Sequence, residues 1–395
     1  MYPNYSKAFL DLKDVFVKKV IQADSFLKVF IETRTSEQTC PCCGCKTKRV
    51  HDYRIQEIDD TPFQGKTVIL VLRKRRYLCT SCGKGKRFLE HYSFLPSYHR
   101  RTRRLAFYVI SLLRQTFSLK QVSILTGVSV PTICRLLDTI HYSPPDKLPE
   151  AVSIDEFKGN ASTGKYQCIL VDTKKHRILD ILPDRTQSHL ADYWRNITRK
   201  ERLKVKFFVC DMWLPYVELA RTFFPNAKII VDKYHFIRQV TWAIENVRKR
   251  LQKSMPTSLR KYYKRSRKLI LTRYRKLKDE NKQACDLMLQ YSDDLRLAHM
   301  MKEWFYDISQ LESYRKQQQE FDDWISNARG CGIKEFEKCA KTFQSWRKEI
   351  LNAFKYGITN GVTEGFNNKI KVLKRSSYGI RNFNRFRTRI LHCTS

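Results

Sequence analysis

The chain has 395 residues, 42% of them hydrophobic, with 76 Lys and Arg against 39 Asp and Glu and a formal net charge of +37. That length and apolar content suit two or three globular domains and exclude a disordered chain, and no apolar run approaches the roughly 20 residues that a bilayer span needs. Charge of this size exceeds what solubility requires and implies a polyanionic partner, and neither a membrane nor a small-molecule substrate is expected.

The first residues, MYPNYSKAFLDLKDVF, mix acids and bases and lack the basic-then-apolar order of a secretory signal. The first six of 13 cysteines fall in CPCCGC and CTSCG. In a large chain without a leader pattern this points to a reducing cytoplasm and a metal site rather than disulfides. Cys40 with Cys43 and Cys79 with Cys82 form two CxxC knuckles, each followed by Gly, suited to presenting four thiolates tetrahedrally to a structural Zn²⁺. Cys42 and Cys45 are then spare, although the crowded first knuckle leaves the choice among its four cysteines open. KRVHDYRIQEIDD and KTVILVLRKRRYLC flank the turn signal TPFQGK, so a β-hairpin can bring the two knuckles together.

From about Arg100 to Ile140 the pattern is helical, with Leu105, Val109 and Leu112 on one face of a first helix. A second helix begins at Ser118 or Leu119, Gly127 makes a turn, and Ser129 with Pro131 opens a third. This is the shape of a helix-turn-helix, with Thr132 and Arg135 placed to enter a major groove. HYSPPDKLPE then reads as a linker.

Beyond it come three strands, AVSID, YQCILVDT and HRILDILP, a helix near Ser188 to Arg199, and the strand KFFVCD. A helix through Tyr216 to Phe223, the strand AKIIVD and a helix from Tyr234 to about Leu251 follow. The order predicts a mixed sheet covered by helices. A long basic helical segment over about 245–350 interleaves Arg248, Lys249, Arg250, Arg260, Lys261, Lys264, Arg265, Arg267, Lys268, Arg273, Arg275 and Lys276 with Tyr262, Tyr263 and Tyr274. Such mixing suits tracking phosphates, with rings available for stacking.

Asp155 and Asp211 each end an apolar strand, and adjacent strands would bring them out at one sheet edge. On the last basic helix Val362, Phe366, Ile370 and Leu373 form a stripe expected to pack on the sheet. A second face offers Glu364, Asn368, Lys371 and Arg375, a carboxylate followed by an amide and cations for a DNA backbone, and Lys374 is a further candidate for DNA contact. Carboxylate oxygens are the ligands Mg²⁺ or Mn²⁺ prefers, and clustered carboxylates can clamp a phosphodiester between two such ions. Glu156 should point to the opposite side of its strand from Asp155. Asp232 is a supporting residue or an alternative ligand, Asp172 and Asp180 read as turn acids, and His235 either orients a phosphate or caps a helix.

VSIDEFKG, VCDMWLPY, VDKYHFIRQV and TNGVTEGFNNKIKVLKRSSYGIRNF resemble the signature blocks of the ISL-three family of insertion-sequence transposases, and the zinc ribbon followed by a helix-turn-helix matches that family's arrangement. The resemblance implies a multidomain α/β protein whose RNase H-like catalytic domain is interrupted by a helical insertion, with a DDE triad of Asp155, Asp211 and Glu364. It implies metal-dependent cleavage and transfer of DNA strands, binding to terminal inverted repeats and target DNA, and at least two protomers in the active complex. The expected parts are 1–95 with the zinc ribbon, 96–148 with the helix-turn-helix and linker, 149–244 as the first catalytic part, 245–354 as the insertion, and 355–395 with the glutamate helix. Two rival readings are a non-catalytic DNA-binding regulator and an RNase H-like structure-specific nuclease.

Overall fold

The computed structural model describes residues 12, 15–82, 85–159, 162–265 and 267–395. It divides into two units, Met1–Tyr142 with Asn160–Ser162 and Ile370–Ser395, and Ser143–Gly159 with Thr163–Lys369.

The first unit opens with β1 (Val15–Gln22), β2 (Phe26–Thr33), the short pair β3 (Gln38–Thr39) and β4 (Lys46–Thr47), β5 (Val50–Phe63), β6 (Lys66–Cys79) and β7 (Lys86–Leu89). The expected hairpin is β5 and β6. Its two loop residues, Gln64 and Gly65, both have positive φ, 49° and 75°, the twist that a two-residue hairpin loop needs. The sheet is larger than the sequence reading anticipated: β1 pairs β2, β2 runs parallel to β6, and the order is β1-β2-β6-β5 with β7 on β6. Leu27, Val29 and Ile31 alternate inward along β2 and meet Ile58, Val68, Leu70 and Leu72 in one core.

The next three helices are α1 (Arg103–Leu112), α2 (Leu119–Thr126) and α3 (Val130–Leu137). Ser118 and Gln121 form a reciprocal capping box that starts α2. Gly127 ends it at φ +72°, a conformation that favours glycine, and a Cβ there would press 3.0 Å from the Thr67 methyl. The buried stripe of α1 is Leu105, Val109 and Leu113; Leu112, expected to face in, is only half-buried because inward positions here recur every four residues.

The second unit carries β8 (Ala151–Lys158), β9 (Tyr166–Asp172), β10 (Arg177–Leu182), α4 (Gln187–Arg195), α5 (Arg199–Arg202), β11 (Phe207–Cys210), α6 (Leu214–Phe223), β12 (Lys228–Val231) and α7 (Lys233–Gln252). The sheet order is β10-β9-β8-β11-β12, antiparallel on the β9 side of β8 and parallel on the β11 side. The helix expected near residues 188–199 is two pieces, α4 and α5, broken around Ile197, where Thr198 caps the second.

Helices α8 (Thr257–Arg265), α9 (Arg267–Leu271), α10 (Asp279–Gln290), α11 (Asp293–Ile308), α12 (Tyr314–Gly330), α13 (Lys334–Ser345) and α14 (Arg347–Tyr356) follow. Phe305, Phe321, Trp324, Phe336 and Phe343 are buried together among them, each contributing roughly 1.5–3 kcal/mol by leaving water. Asn352 of α14 donates to the Ile229 carbonyl at 2.8 Å, tying this bundle to β12. Not every cation of the segment is available to a ligand. Arg248 is buried against Glu245, and Arg273 is buried and paired with Asp307.

The chain ends with α15 (Gly361–Ser376) and α16 (Phe383–Thr394). Within the first unit α16 packs on the helix-turn-helix. Arg389 Nη2 donates to the Gln115 and Phe117 carbonyls at 2.9 and 2.6 Å, Arg385 pairs with Asp138, and His392 Nδ1 lies 2.9 Å from the Tyr142 hydroxyl.

Candidate functional site

Three aspartates stand level across the sheet: Asp211 and Asp232 directly follow β11 and β12, whereas Asp155, expected to end its strand, lies inside β8 and pairs with Ile169, because the antiparallel ladder with β9 carries β8 on to Lys158. The ladder pairs Val209 with Ser153 and Cys210 with Val231, so two further residues bring Asp211 level with Asp155, and one further residue brings Asp232 level with Asp211. The Asp232 amide donates to the Cys210 carbonyl at 2.9 Å at this point. Strand alternation sorts the neighbours. Val152 and Ile154 enter the core beneath α4 and α6, and Glu156, on that same face, takes Arg185 Nη1 on both oxygens at 2.8 Å. Arg185 in turn lies over the Tyr166 and Trp213 rings.

Ser153 and Asp155 take the other face and meet the segment that starts α15. Ser153 Oγ bonds Asn360 Oδ1 and lies 2.9 Å from Thr363 Oγ1, and the Asn360 amide donates to Asp232 Oδ1 at 3.0 Å. Asn367 Nδ2 donates to Asp155 Oδ2 at 2.9 Å, while the Glu156 amide donates to Asp155 Oδ1 at 2.7 Å. Phe366, Ile370 and Leu373 are buried and Val362 is half-buried. Thr363 and Asn367 also turn inward, so the buried stripe is partly polar. Sequence reasoning passed over Asn360, Thr363 and Asn367; the signal available was that Thr363 and Asn367 recur at four residues, in step with Ile370.

Burial, followed by repulsion from Asp232 and Glu156, pushes the Asp155 carboxyl up to about 6 despite the bonds from Glu156 and Asn367. Burial, then Asp155 and Glu156, pushes Asp211 up to about 7. Burial holds the His235 imidazole below its ordinary value, opposed by Asp232 and Glu364. Asp211 Oδ1 and Asn367 Oδ1 are buried acceptors that receive no donor from the described residues. Buried oxygens without donors beside mutually repelling carboxylates are the donor set that a hard divalent cation satisfies, so these residues fit one. Glu364 is exposed one residue beyond Thr363, and the described residues do not draw Asp155, Asp211 and Glu364 into a set of ligand atoms within 4.8 Å of one another.

Four cysteines do form such a set: Cys40, Cys43, Cys79 and Cys82. Cys40 Sγ lies 3.6 Å from Cys82 Sγ, and Cys43 Sγ lies 3.6 Å from Cys79 Sγ. A zinc tetrahedron with bonds of about 2.3 Å has edges of roughly 3.8 Å, so the sulfurs fit Zn²⁺. The first knuckle is folded by the Gly44 amide donating to the Cys40 carbonyl at 3.0 Å, and the backbone amide of Cys43 holds the Cys40 thiol down at about 6. Cys42 and Cys45 are exposed and outside the set.

Three family profiles match the chain: a transposase profile of the ISL3 type over residues 152–390, the zinc finger of the IS204/IS1001/IS1096/IS1165 transposases over 36–82, and the helix-turn-helix of family ISL3 transposases over 90–141. The chain belongs to the ISL3 family of transposases. It is 26% identical over 373 residues to the transposase for insertion sequence element IS1001 of Bordetella parapertussis, covering 90% of this chain and 88% of that one. It is 24% identical over 242 residues to the transposase for IS1557 of Mycobacterium tuberculosis, covering 55% and 54%. A shorter stretch, 32% identical over 107 residues, covering 27% of this chain and 33% of the relative, is similar to an ATP-dependent protease of Lactococcus lactis. This ISL3 transposase is thus a DNA-binding enzyme built with a zinc ribbon and a helix-turn-helix, and among its described residues no helix is long and apolar enough to cross a membrane.

The transposase's expected DNA contacts lie on three elements. Arg135 is exposed on α3 and donates to Thr132 Oγ1 at 2.8 Å; it lies close enough to Arg101 to depress that guanidinium, after burial. Asn368, Lys371 and Arg375 are exposed on α15, with Lys374 half-buried. Lys268 is exposed on α9, whereas the side chains of Arg265, Tyr262 and Tyr263 lie outside the described residues.

Proposed function

We propose that this ISL3 transposase cuts and joins DNA at the sheet edge bearing Asp155 and Asp211, with Glu364 as the third catalytic carboxylate. The strand order β10-β9-β8-β11-β12 supports an RNase H-like fold for this part, and residues 245–354 read as an insertion between its sheet and its last helix. The observation that carries the reading is the pair of donorless buried acceptors, Asp211 Oδ1 and Asn367 Oδ1, beside the Asp155 and Asp211 carboxyls, whose pKa values are raised first by burial and then by neighbouring carboxylates.

Asp155, Asp211 and Glu364 would hold Mg²⁺ or Mn²⁺. When bound, the ions supply charge neutralisation on the phosphodiester and an activated oxygen nucleophile. Asn367 and the Glu156 amide hold the Asp155 carboxylate, and the bonds of Ser153 to Asn360 and Thr363 fix the start of α15, from which Glu364 would be presented to the metal. Asp232 serves as a positioning residue, since it accepts from the Asn360 amide. Lys371, Lys374 and Arg375 are suited to gripping the DNA backbone along α15 and Thr132 with Arg135 to reading a groove. The substrates are the terminal inverted repeats of the element and its target DNA, acted on in the cytoplasm by at least two protomers.

The test uses D155N, D211N, E364Q and D232N proteins on a terminal-repeat duplex and on pre-cut ends mixed with supercoiled plasmid. The first three should lose nicking and joining while retaining duplex binding. Joining by D155N or D211N would refute the assignment, and activity in E364Q with loss in D232N would move the third carboxylate to Asp232. Cleavage without joined products would leave a nuclease.

A further inference from the structure

Helix α7 leaves the catalytic edge at Asp232, its N-cap, with one face buried by Phe236, Val240, Ala243, Ile244 and Val247. The other face carries Tyr234, Arg238, Trp242, Asn246 and Lys249 at steps of four, four, four and three. Tyr234 is 59% exposed and Trp242 46% exposed. The Arg238 guanidinium lies 4.0 Å from the Trp242 ring centroid. Glu245, the one acid in the helix sequence, is buried against Arg248 and lies 3.8 Å from Lys249 Nζ, so the Tyr234–Trp242 part of this face carries no acid of its own helix.

An isolated exposed aromatic needs no explanation. Two of them in line with a stacked guanidinium, spaced about 6 Å per step along the axis, present planar surfaces with cations beside them. A planar, cationic face suits nucleic acid, and a base can stack on a side chain only once it has left its duplex partner.

We propose that Tyr234, Arg238 and Trp242 form a stacking platform for unpaired bases of the DNA strand held at the carboxylate edge, with Lys249 on its phosphates. This rests on the reading of that edge as the DNA-processing site. The platform would hold bases that become unpaired where a strand is cut, and would keep the end in place between cleavage and joining.

The experiment compares binding of full-length protein to a duplex bearing a short single-stranded tail and to the same duplex with a blunt end. Trp242→Ala should weaken binding of the tailed duplex about tenfold or more and leave the blunt duplex unchanged, whereas Trp242→Phe keeps the preference. A tail of abasic sites, tested on the unaltered protein, should lose the preference without any substitution. Equal affinity of the unaltered protein for base-bearing and abasic tails would overturn the proposal. So would a W242A protein that weakens on both duplexes equally or on neither. Failure of the catalytic reading would appear separately, as unaltered protein that binds tailed DNA with preference but never nicks it.

Discussion

Asn367 donates its side-chain amide to Asp155 across 212 residues of sequence, at 2.9 Å. The donor sits on a late helix and the acceptor on the central strand, so the orientation of a proposed catalytic carboxylate depends on how α15 docks. Replacing Asn367 by Leu keeps the volume and removes the donor. A hydrogen bond to a charged group contributes about 1.5–3 kcal/mol, so nicking should fall roughly tenfold to a hundredfold while duplex binding is unchanged. Single-turnover nicking rates beside binding curves check this, and an unimpaired rate would remove Asn367 from the site.

Asp155 and Asp211 keep their protons in the folded chain to about 6 and about 7, above the ordinary value near 4 that the unfolded chain retains. A carboxyl with a raised folded pKa binds more protons folded than unfolded in that window, so stability falls as pH rises through it. The metal-free protein should therefore be less stable at pH 8 than at pH 5, by on the order of a few kcal/mol at most. Subtracting the denaturant unfolding curve of D211N isolates the Asp211 share: the substitution should gain relative to the unaltered protein as pH rises. Added Mg²⁺ should reverse the loss at pH 8 and do little at pH 5.

Cys79→Ser removes a buried thiolate from the four-sulfur set and should abolish zinc retention, with the β5–β6 hairpin end becoming sensitive to protease. Cys42→Ser should retain zinc in full, because that side chain lies outside the set. Metal content of the purified proteins decides between these outcomes.

Arg389 is fully buried and donates to two carbonyls of the helix-turn-helix. Arg389→Met leaves both carbonyls without that donor and should cost about 2–4 kcal/mol, weakening duplex binding through loss of the α16 dock. By contrast Arg385→Ala removes a half-exposed pair with Asp138 and should cost about 1 kcal/mol or less. Thermal melts of the two variants should separate by several degrees.

Arg135→Ala, on the exposed face of α3, should weaken duplex binding. If its contact is to a phosphate, the slope of binding against salt drops by about 1; if to a base edge, the loss is about 1–3 kcal/mol at one position of the site. Binding at several salt concentrations to matched and altered duplexes tells which.

Local chemistry made much of this molecule legible in advance. Short apolar runs leading to Asp155, Asp211 and Asp232 announce strands, Gln64-Gly65 announces a hairpin, and Ser118, Gly127 and Pro131 mark the helix boundaries, because these depend on neighbours a few residues apart. The alternation of Leu27, Val29 and Ile31 was equally readable and was passed over.

What the sequence alone determined was the set of elements and the residue types able to bind metal and DNA. Which residues meet was decided by tertiary structure, since contact across a hundred or more residues is invisible to periodicity. Packing turned Thr363 and Asn367 inward beside Phe366, set Asn367 rather than Asn368 against Asp155, selected four of the six ribbon cysteines, and took Arg248 and Arg273 into ion pairs. The physical reason is common to all of these: a buried polar group must find its partner in the folded chain, and only the packed arrangement of sheet and helices determines which partner is within reach.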